Sequence, residues 1–207
     1  MNTTRTLSLL ALAAVALTSV AGCPDTKARL DRFADDSEPL RLTTAGIQCD
    51  GPVDASGDYF IAAAVAIAPD KPIVFRGDLT VDLTAMTVQL DMFALSIEGR
   101  EEVGEVISAT GDLADDGTFV LDFGATAVPA AADAVIPGVD VAANMTFTGC
   151  TRTATTVCGV IDGNVTEPTD LPLAGSTWGG LALGAGDEVD AAPVLSTCTA
   201  VAEHEAN

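Results

Sequence analysis

Five cysteines, one histidine and a large excess of carboxylates define the chemistry open to this chain. Cys49, Cys150, Cys158 and Cys198 form an even set with no Cys-x-x-Cys pair, and the sole imidazole, His204, is the fourth residue from the end. That pattern suits disulfides in an oxidising compartment and not a zinc centre. Of the three possible connectivities, Cys150 with Cys158 is favoured, because the two flank the polar stretch 151–157 as they would across a hairpin. Cys49 then pairs with Cys198, tying the first strand to the last. A Ser-His or Cys-His nucleophile has no plausible base here. The nearest approach to a nucleophile elbow, Gly175-Ser176-Thr177-Trp178-Gly179, has its serine one place too early. Carboxylate pairs could hydrolyse glycosides, but sugar sites usually need aromatic platforms, and the chain has one Trp and one Tyr. The expectation is a non-catalytic protein with no catalytic residue and no cofactor.

Two acidic clusters have the oxygen chemistry of a hard-cation site: Asp112, Asp115 and Asp116 before Gly117, and Asp187, Glu188 and Asp190 late in the chain. Neither has the spacing of a calcium-binding EF-hand loop. Both read as solvated turns, and no metal ligand is assigned. Trp178, set among Gly175, Gly179 and Gly180, reads first as a core anchor and second as a ring at a pocket mouth.

The start of the chain carries a different signal. Arg5 precedes residues 7–20, an uncharged apolar run of 14 residues, whereas a helix needs about 20 to cross a bilayer. That is the layout of an export signal. Val20-Ala21-Gly22-Cys23 follows where the apolar run ends, and it resembles the lipobox of bacterial lipoproteins. The resemblance covers the first 23 residues and implies cleavage before Cys23, a diacylglyceryl group on its thiol and acylation, commonly palmitate, of the new terminus. Two or more acyl chains hold a protein stably to a membrane. The implied location is the cell envelope, with the outer membrane favoured over the inner.

Loss of residues 1–22 removes one basic side chain and no acid, leaving 8 Lys or Arg against 30 Asp or Glu, a net charge of −22. Beyond Arg100 the sole basic side chain is Arg152, against 17 acids. Such a field repels phosphate backbones, which excludes nucleic acid as a partner, and opposes docking on anionic head groups.

The elements that must carry these residues are strands. Residues 23–40 are charged and poor in large apolar side chains, and read as a lipidated terminus and tether. Residues 41–207 read as one β domain, because apolar side chains recur with period two between Gly, Asp and Pro punctuation. Ile73, Phe75, Gly77, Leu79, Val81 and Leu83 share one face, and Arg76, Asp78, Thr80 and Asp82 the other. Phe119, Leu121 and Phe123 repeat the pattern, as do Val139, Val141, Ala143, Met145 and Phe147. Parity slips after Met92 towards Phe93, Leu95 and Ile97, which predicts a bulge or bend there. Asp115-Asp116-Gly117 is a hairpin signal; Asp70-Lys71-Pro72 and Asp162-Gly163-Asn164 are further turn candidates. Residues 129–137 predict a helical turn or flap, and 59–68, apolar on both faces, a strand covered on both sides. The fold class expected is all-β: an antiparallel meander closed into a barrel or strongly curved sandwich, stapled by disulfides. A membrane-spanning barrel is disfavoured by the scarcity of girdle aromatics.

Two functions follow as expectations. The first is a binding or structural module whose loops contact another envelope protein. The second is a lipocalin-like carrier of a small apolar ligand, suggested by the small side chains Ala62, Ala64, Ala66, Ala125 and Ala143, which would leave space inside.

Overall fold

Strand β1 (Gly57–Ala64) opens the sheet, and β2 (Ile73–Asp82), β3 (Thr87–Leu95) and β4 (Glu102–Asp112) follow it as an antiparallel meander. A second meander comprises β5 (Thr118–Val128), β6 (Val141–Thr151), β7 (Thr156–Glu167), the two-residue β8 (Leu171–Pro172) and β9 (Ser176–Ala182). The computed structural model describes residues 49–186 and 188–207. The export signal, the lipobox with Cys23, the tether and Asp187 lie outside the described residues.

The two meanders join where the first and last strands meet. β1 pairs antiparallel with β9 from Tyr59↔Ala182 to Ala64↔Thr177, giving the order β4-β3-β2-β1-β9-β7-β6-β5. The sheet curls into a nearly closed antiparallel barrel. The interior is filled by Tyr59, Phe75, Leu79, Leu90, Phe119, Phe147 and Trp178, none more than 2 % exposed. Burial in β2 alternates strictly, as its sequence pattern requires. Tyr59 is deep enough that burial pushes its phenol well above the usual tyrosine range.

The outer face of β1 is covered too. Phe60, outside the barrel core, lies 4.7 Å under the Arg100 guanidinium. Arg100 in turn donates to the carbonyls of Val189 and Ala192 at 2.5 and 3.2 Å. Those carbonyls bracket a short 3₁₀ turn (Val189–Ala191), after which the chain crosses the outside of β9 and ends in helix α1 (Cys198–Glu205). Thr197 caps α1 by accepting from Ala200 N–H. A β-carbon at Gly179 would fall 2.3 Å from the Leu195 carbonyl oxygen and 2.9 Å from Val201, so glycine is what lets this strap lie flat on the sheet. The doubly apolar sequence 59–68 therefore marks a strand lying beneath a strap.

Three sequence expectations need correction. The disulfides are Cys49–Cys150 and Cys158–Cys198, not Cys150–Cys158 and Cys49–Cys198. Cys150 and Cys158 do face each other across the β6–β7 hairpin, and neighbours at that separation are within the span of a disulfide. Each is met from outside by a different flanking segment, the lead-in to β1 at Cys49 and α1 at Cys198, and the bridges form there. The first and last strands are joined by their hydrogen-bond ladder instead. Secondly, Asp162-Gly163-Asn164 is not a turn: β7 runs straight through it. Gly163 has φ +116°, and a β-carbon there would meet the Asn144 carbonyl oxygen at 2.0 Å, so its role is close approach to β6. Thirdly, Leu83 does not continue the buried face of β2, which ends at Asp82, and is 43 % exposed. The bulge expected beside Met92 is present, with its extra residues on the partner strand. Met92 pairs with Ile107 and Ala94 with Val103, which leaves Gly104, Glu105 and Val106 of β4 opposite Phe93 alone. Ala94 keeps to the core, and Phe93 takes the outer face.

α1 is fastened by polar contacts as well as by its disulfide. Arg152 Nη2 donates to Glu205 Oε2 at 3.1 Å, and the Thr156 hydroxyl donates to Glu205 Oε1. Burial opposes ionisation of Glu205, but the Arg152 and Thr156 hydrogen bonds and the Arg152 charge outweigh it and hold the carboxyl below its ordinary value of 4.5. A lowered folded value means that this contribution is fully present above pH 4.5 and is lost as pH falls through the folded value. Protection factors of the α1 amides, taken relative to the intrinsic exchange rate at each pH, should fall on acidification below that point, and Arg152→Ala should move the onset to higher pH; protection unchanged with pH in both proteins would refute the clasp. Peptide mapping without reduction should recover Cys49 linked to Cys150 and Cys158 linked to Cys198. Breaking the second bridge with Cys158→Ala and Cys198→Ala should cost about 4 kcal/mol in denaturant unfolding by loop entropy.

Candidate functional site

Among the described residues the barrel's ladder is interrupted between β4 and β5. These strands begin as a hairpin at Asp115-Asp116-Gly117: Asp116 Oδ1 accepts from Thr118 N–H and from its hydroxyl, Ala114 N–H donates to the Thr118 carbonyl, and Leu113 pairs with Phe119. Past Leu113↔Phe119 no ladder joins the two strands. At Gly111 they still press together, since a β-carbon there would lie 1.9 Å from the Val120 carbonyl oxygen. Beyond it both strands are bulged. β4 carries the surplus residues Gly104, Glu105 and Val106, and β5 carries Phe123 as an extra residue between Asp122 and Gly124. Bulges bend their strands and strengthen local twist, and here they carry the two edges apart. The edges close again at Gly104, where a β-carbon would meet Pro129 Cγ at 2.6 Å.

The result is a window in the barrel wall, pinched at both ends, with a cleft of about 490 Å³ between. Gly104 to Ser108 form one side, Phe123 to Pro129 the other, and Asp140 closes the rim. That volume is within the range of ligand sites. Ile107 and Phe123 form its apolar floor, while Val106 is 49 % exposed on its lip. Among the described residues, Glu105 and Asp140 are the charged members of the lining, and no basic residue joins them. Asp140 Oδ1 accepts from Ala130 N–H at 2.8 Å and so fixes the segment between β5 and β6 beside the window. That segment is the expected turn or flap: Ala132 and Asp133 N–H both donate to the Pro129 carbonyl, and Ile97 N–H donates to Ala131. Asp133 is buried, with Oδ1 accepting from Val135 N–H and Oδ2 without a hydrogen-bond partner.

A second polar region lies on the outer face of β1 to β3. Asp58, Asp78 and Asp91 stand in register across the three strands. Like charges so opposed are unfavourable, and Arg76 relieves them, donating to Asp58 at 3.1 Å and to Glu102 at 3.4 Å. Arg76, Asp58 and Glu102 are each about half exposed.

The residues singled out in the sequence are dispersed. Cys49, Cys150, Cys158 and Cys198 are structural. Trp178 is a core anchor with no exposure, stacked on Phe147 at 5.2 Å. The glycines against its ring are Gly149 and Gly159 of the neighbouring strands rather than Gly175, Gly179 and Gly180; cross-strand register, which sequence spacing does not reveal, selects them. His204 is exposed in the last turn of α1. Asp112, Asp115 and Asp116 surround the β4–β5 turn, while Glu188 and Asp190 sit at the strap's 3₁₀ turn. Among the described residues no group of three or more His, Cys, Asp or Glu is placed to hold a metal ion, and no helix is long and apolar enough to cross a membrane. The alanines that suggested an interior space do not share one surface. Ala62 and Ala64 lie on the covered outer face of β1, Ala66 and Ala125 are exposed, and Ala143 is in the core. The window itself escaped sequence reading, although Gly104, Gly111 and Gly124 mark its boundaries.

The pinch should be essential to the window's shape. Gly111→Ala sets a methyl group against the Val120 carbonyl and should cost about 1–3 kcal/mol in chemical unfolding, with exchange rising first in residues 109–121. An unchanged midpoint would show that the edges are not in contact there. No protein-family model, no curated protein and no solved structure matches this chain, which leaves its geometry and chemistry as the guide to function.

Proposed function

We propose that this protein is a lipid-anchored component of a bacterial cell envelope, fixed through Cys23, whose β barrel is a non-catalytic binding module. The observation that carries the binding part is the contrast between a filled interior and an open wall. Aromatic and branched side chains occupy the barrel's axis, whereas among the described residues no strand pairs with the β4 and β5 edges past the Leu113↔Phe119 bridge. Contacts are then made from the outside of the barrel, by its window and rim loops, with the strands as scaffold. The anchoring part is supported by the lipobox-like run Val20-Ala21-Gly22-Cys23 at the end of the apolar stretch. The outer membrane is the favoured location, and the acidic tether holds the barrel off the lipid surface.

The first test is chemical. Cells expressing the full chain and fed labelled palmitate should yield a labelled protein whose mature mass begins at an acylated Cys23, and Cys23→Ser should release it from the membrane fraction. An unmodified mature terminus would end the anchoring proposal. Cross-linking of intact envelopes should recover a protein partner through the barrel, and recovery of none above the level of an unrelated lipoprotein would end the binding proposal.

A further inference from the structure

Resting on that reading, we infer that the window between β4 and β5 receives an extended polypeptide segment bearing lysine or arginine, which adds as a strand to the free edges.

An interrupted barrel exposes edge N–H and C=O groups that its sequence must either protect or use. Bulges in both strands and the acidic Glu102 and Glu105 guard these edges against a second acidic chain, but no lysine stands on either edge to repel a basic one, and proline enters only at Pro129, at the closed end. The edges run for roughly 20 Å between the two pinches, at about 3.3 Å per residue. That is room for a strand of about five residues. Main-chain hydrogen bonds supply affinity in such additions, and alternate side chains supply specificity. Alternation here presents two surfaces, one towards the apolar floor of Ile107 and Phe123, the other towards solvent and the acidic rim of Glu105 and Asp140. A peptide alternating apolar and basic residues satisfies both. The protein's own charge selects against the other obvious occupant. A second copy would bring a net of −22 against −22 across the same edges, and facing charges of one sign suppress such pairing.

The test uses the full-length mature protein extracted in mild detergent and an acetylated peptide of alternating lysine and valine, with hydrogen–deuterium exchange read by mass spectrometry. Within residues 102–108 and 124–128, the backbone amides that are not donated to β3 or β6 should exchange quickly in the free protein and become protected by the peptide. A glutamate–valine peptide and a lysine–valine peptide interrupted by proline should protect neither segment. Glu105→Lys changes an exposed side chain and should weaken binding roughly tenfold, with circular dichroism unchanged. Three outcomes overturn the assignment: equal binding of the proline-interrupted peptide, protection mapping elsewhere, or edges already protected in the free protein, either by its own chain or by a concentration-dependent dimer. If envelope cross-linking still finds a partner while this test fails, the window assignment falls and the broader binding role stands. Failure of Cys23 acylation leaves the peptide test unaffected.

Discussion

Residues 59–64 and 177–182 hydrogen-bond to one another across more than half the chain's length, and this ladder organises the rest of the molecule. Because the first and last strands meet in the middle of the sheet, the sheet's two free edges fall to β4 and β5, which are neighbours in sequence. A hairpin would ordinarily zip such neighbours together. Here the pairing stops after one bridge, since each strand carries surplus residues that the other does not match. Long-range closure and a local gap are thus two results of one strand order. The order also lays Trp178 against Gly149 and Gly159, where three strands crowd around one indole ring. Loop-closure entropy must be offset before the β1–β9 ladder forms, and this makes the aromatic cluster of Phe119, Phe147 and Trp178 a natural centre of stability.

Much of the strand content was legible because burial on one face imposes period two. Ile73 to Val81, Phe119 to Phe123 and Val141 to Phe147 all bury the residues their alternation indicates. The two-sided apolarity of 59–64 also carried its meaning correctly, since Phe60 and Ala62 are covered from outside. What sequence could not supply was register. Gly163 has the local chemistry of a turn residue and serves instead in mid-strand, because the need for a β-carbon-free position arises from β6, a partner some twenty residues away. The bulge beside Met92 was visible as a lapse in alternation, but the surplus residues belong to β4.

The disulfide pairing failed for a related reason. Spacing along the chain placed Cys150 beside Cys158, and they are beside each other. Spacing said nothing about which other segments pass over the same patch of sheet. Each of these cysteines faces away from the core, towards covering segments whose positions depend on the whole fold. Candidate chemistry was limited in the same way: the acidic residues that matter at the window, Glu105 and Asp140, are 35 positions apart and belong to no motif.

The two bridges leave a mechanical signature. Tension applied between the ends of the domain enters at Cys49, crosses to Cys150, follows residues 150–158 through a single hairpin turn, and leaves by Cys158 to Cys198. Residues 50–149 and 159–197 are bypassed as slack loops, so pulling cannot peel β1 from β9 or open the wall. While both bridges are intact, a load along the chain falls on residues 150–158, the β6–β7 turn and its adjoining rungs, and bypasses the rest of the barrel.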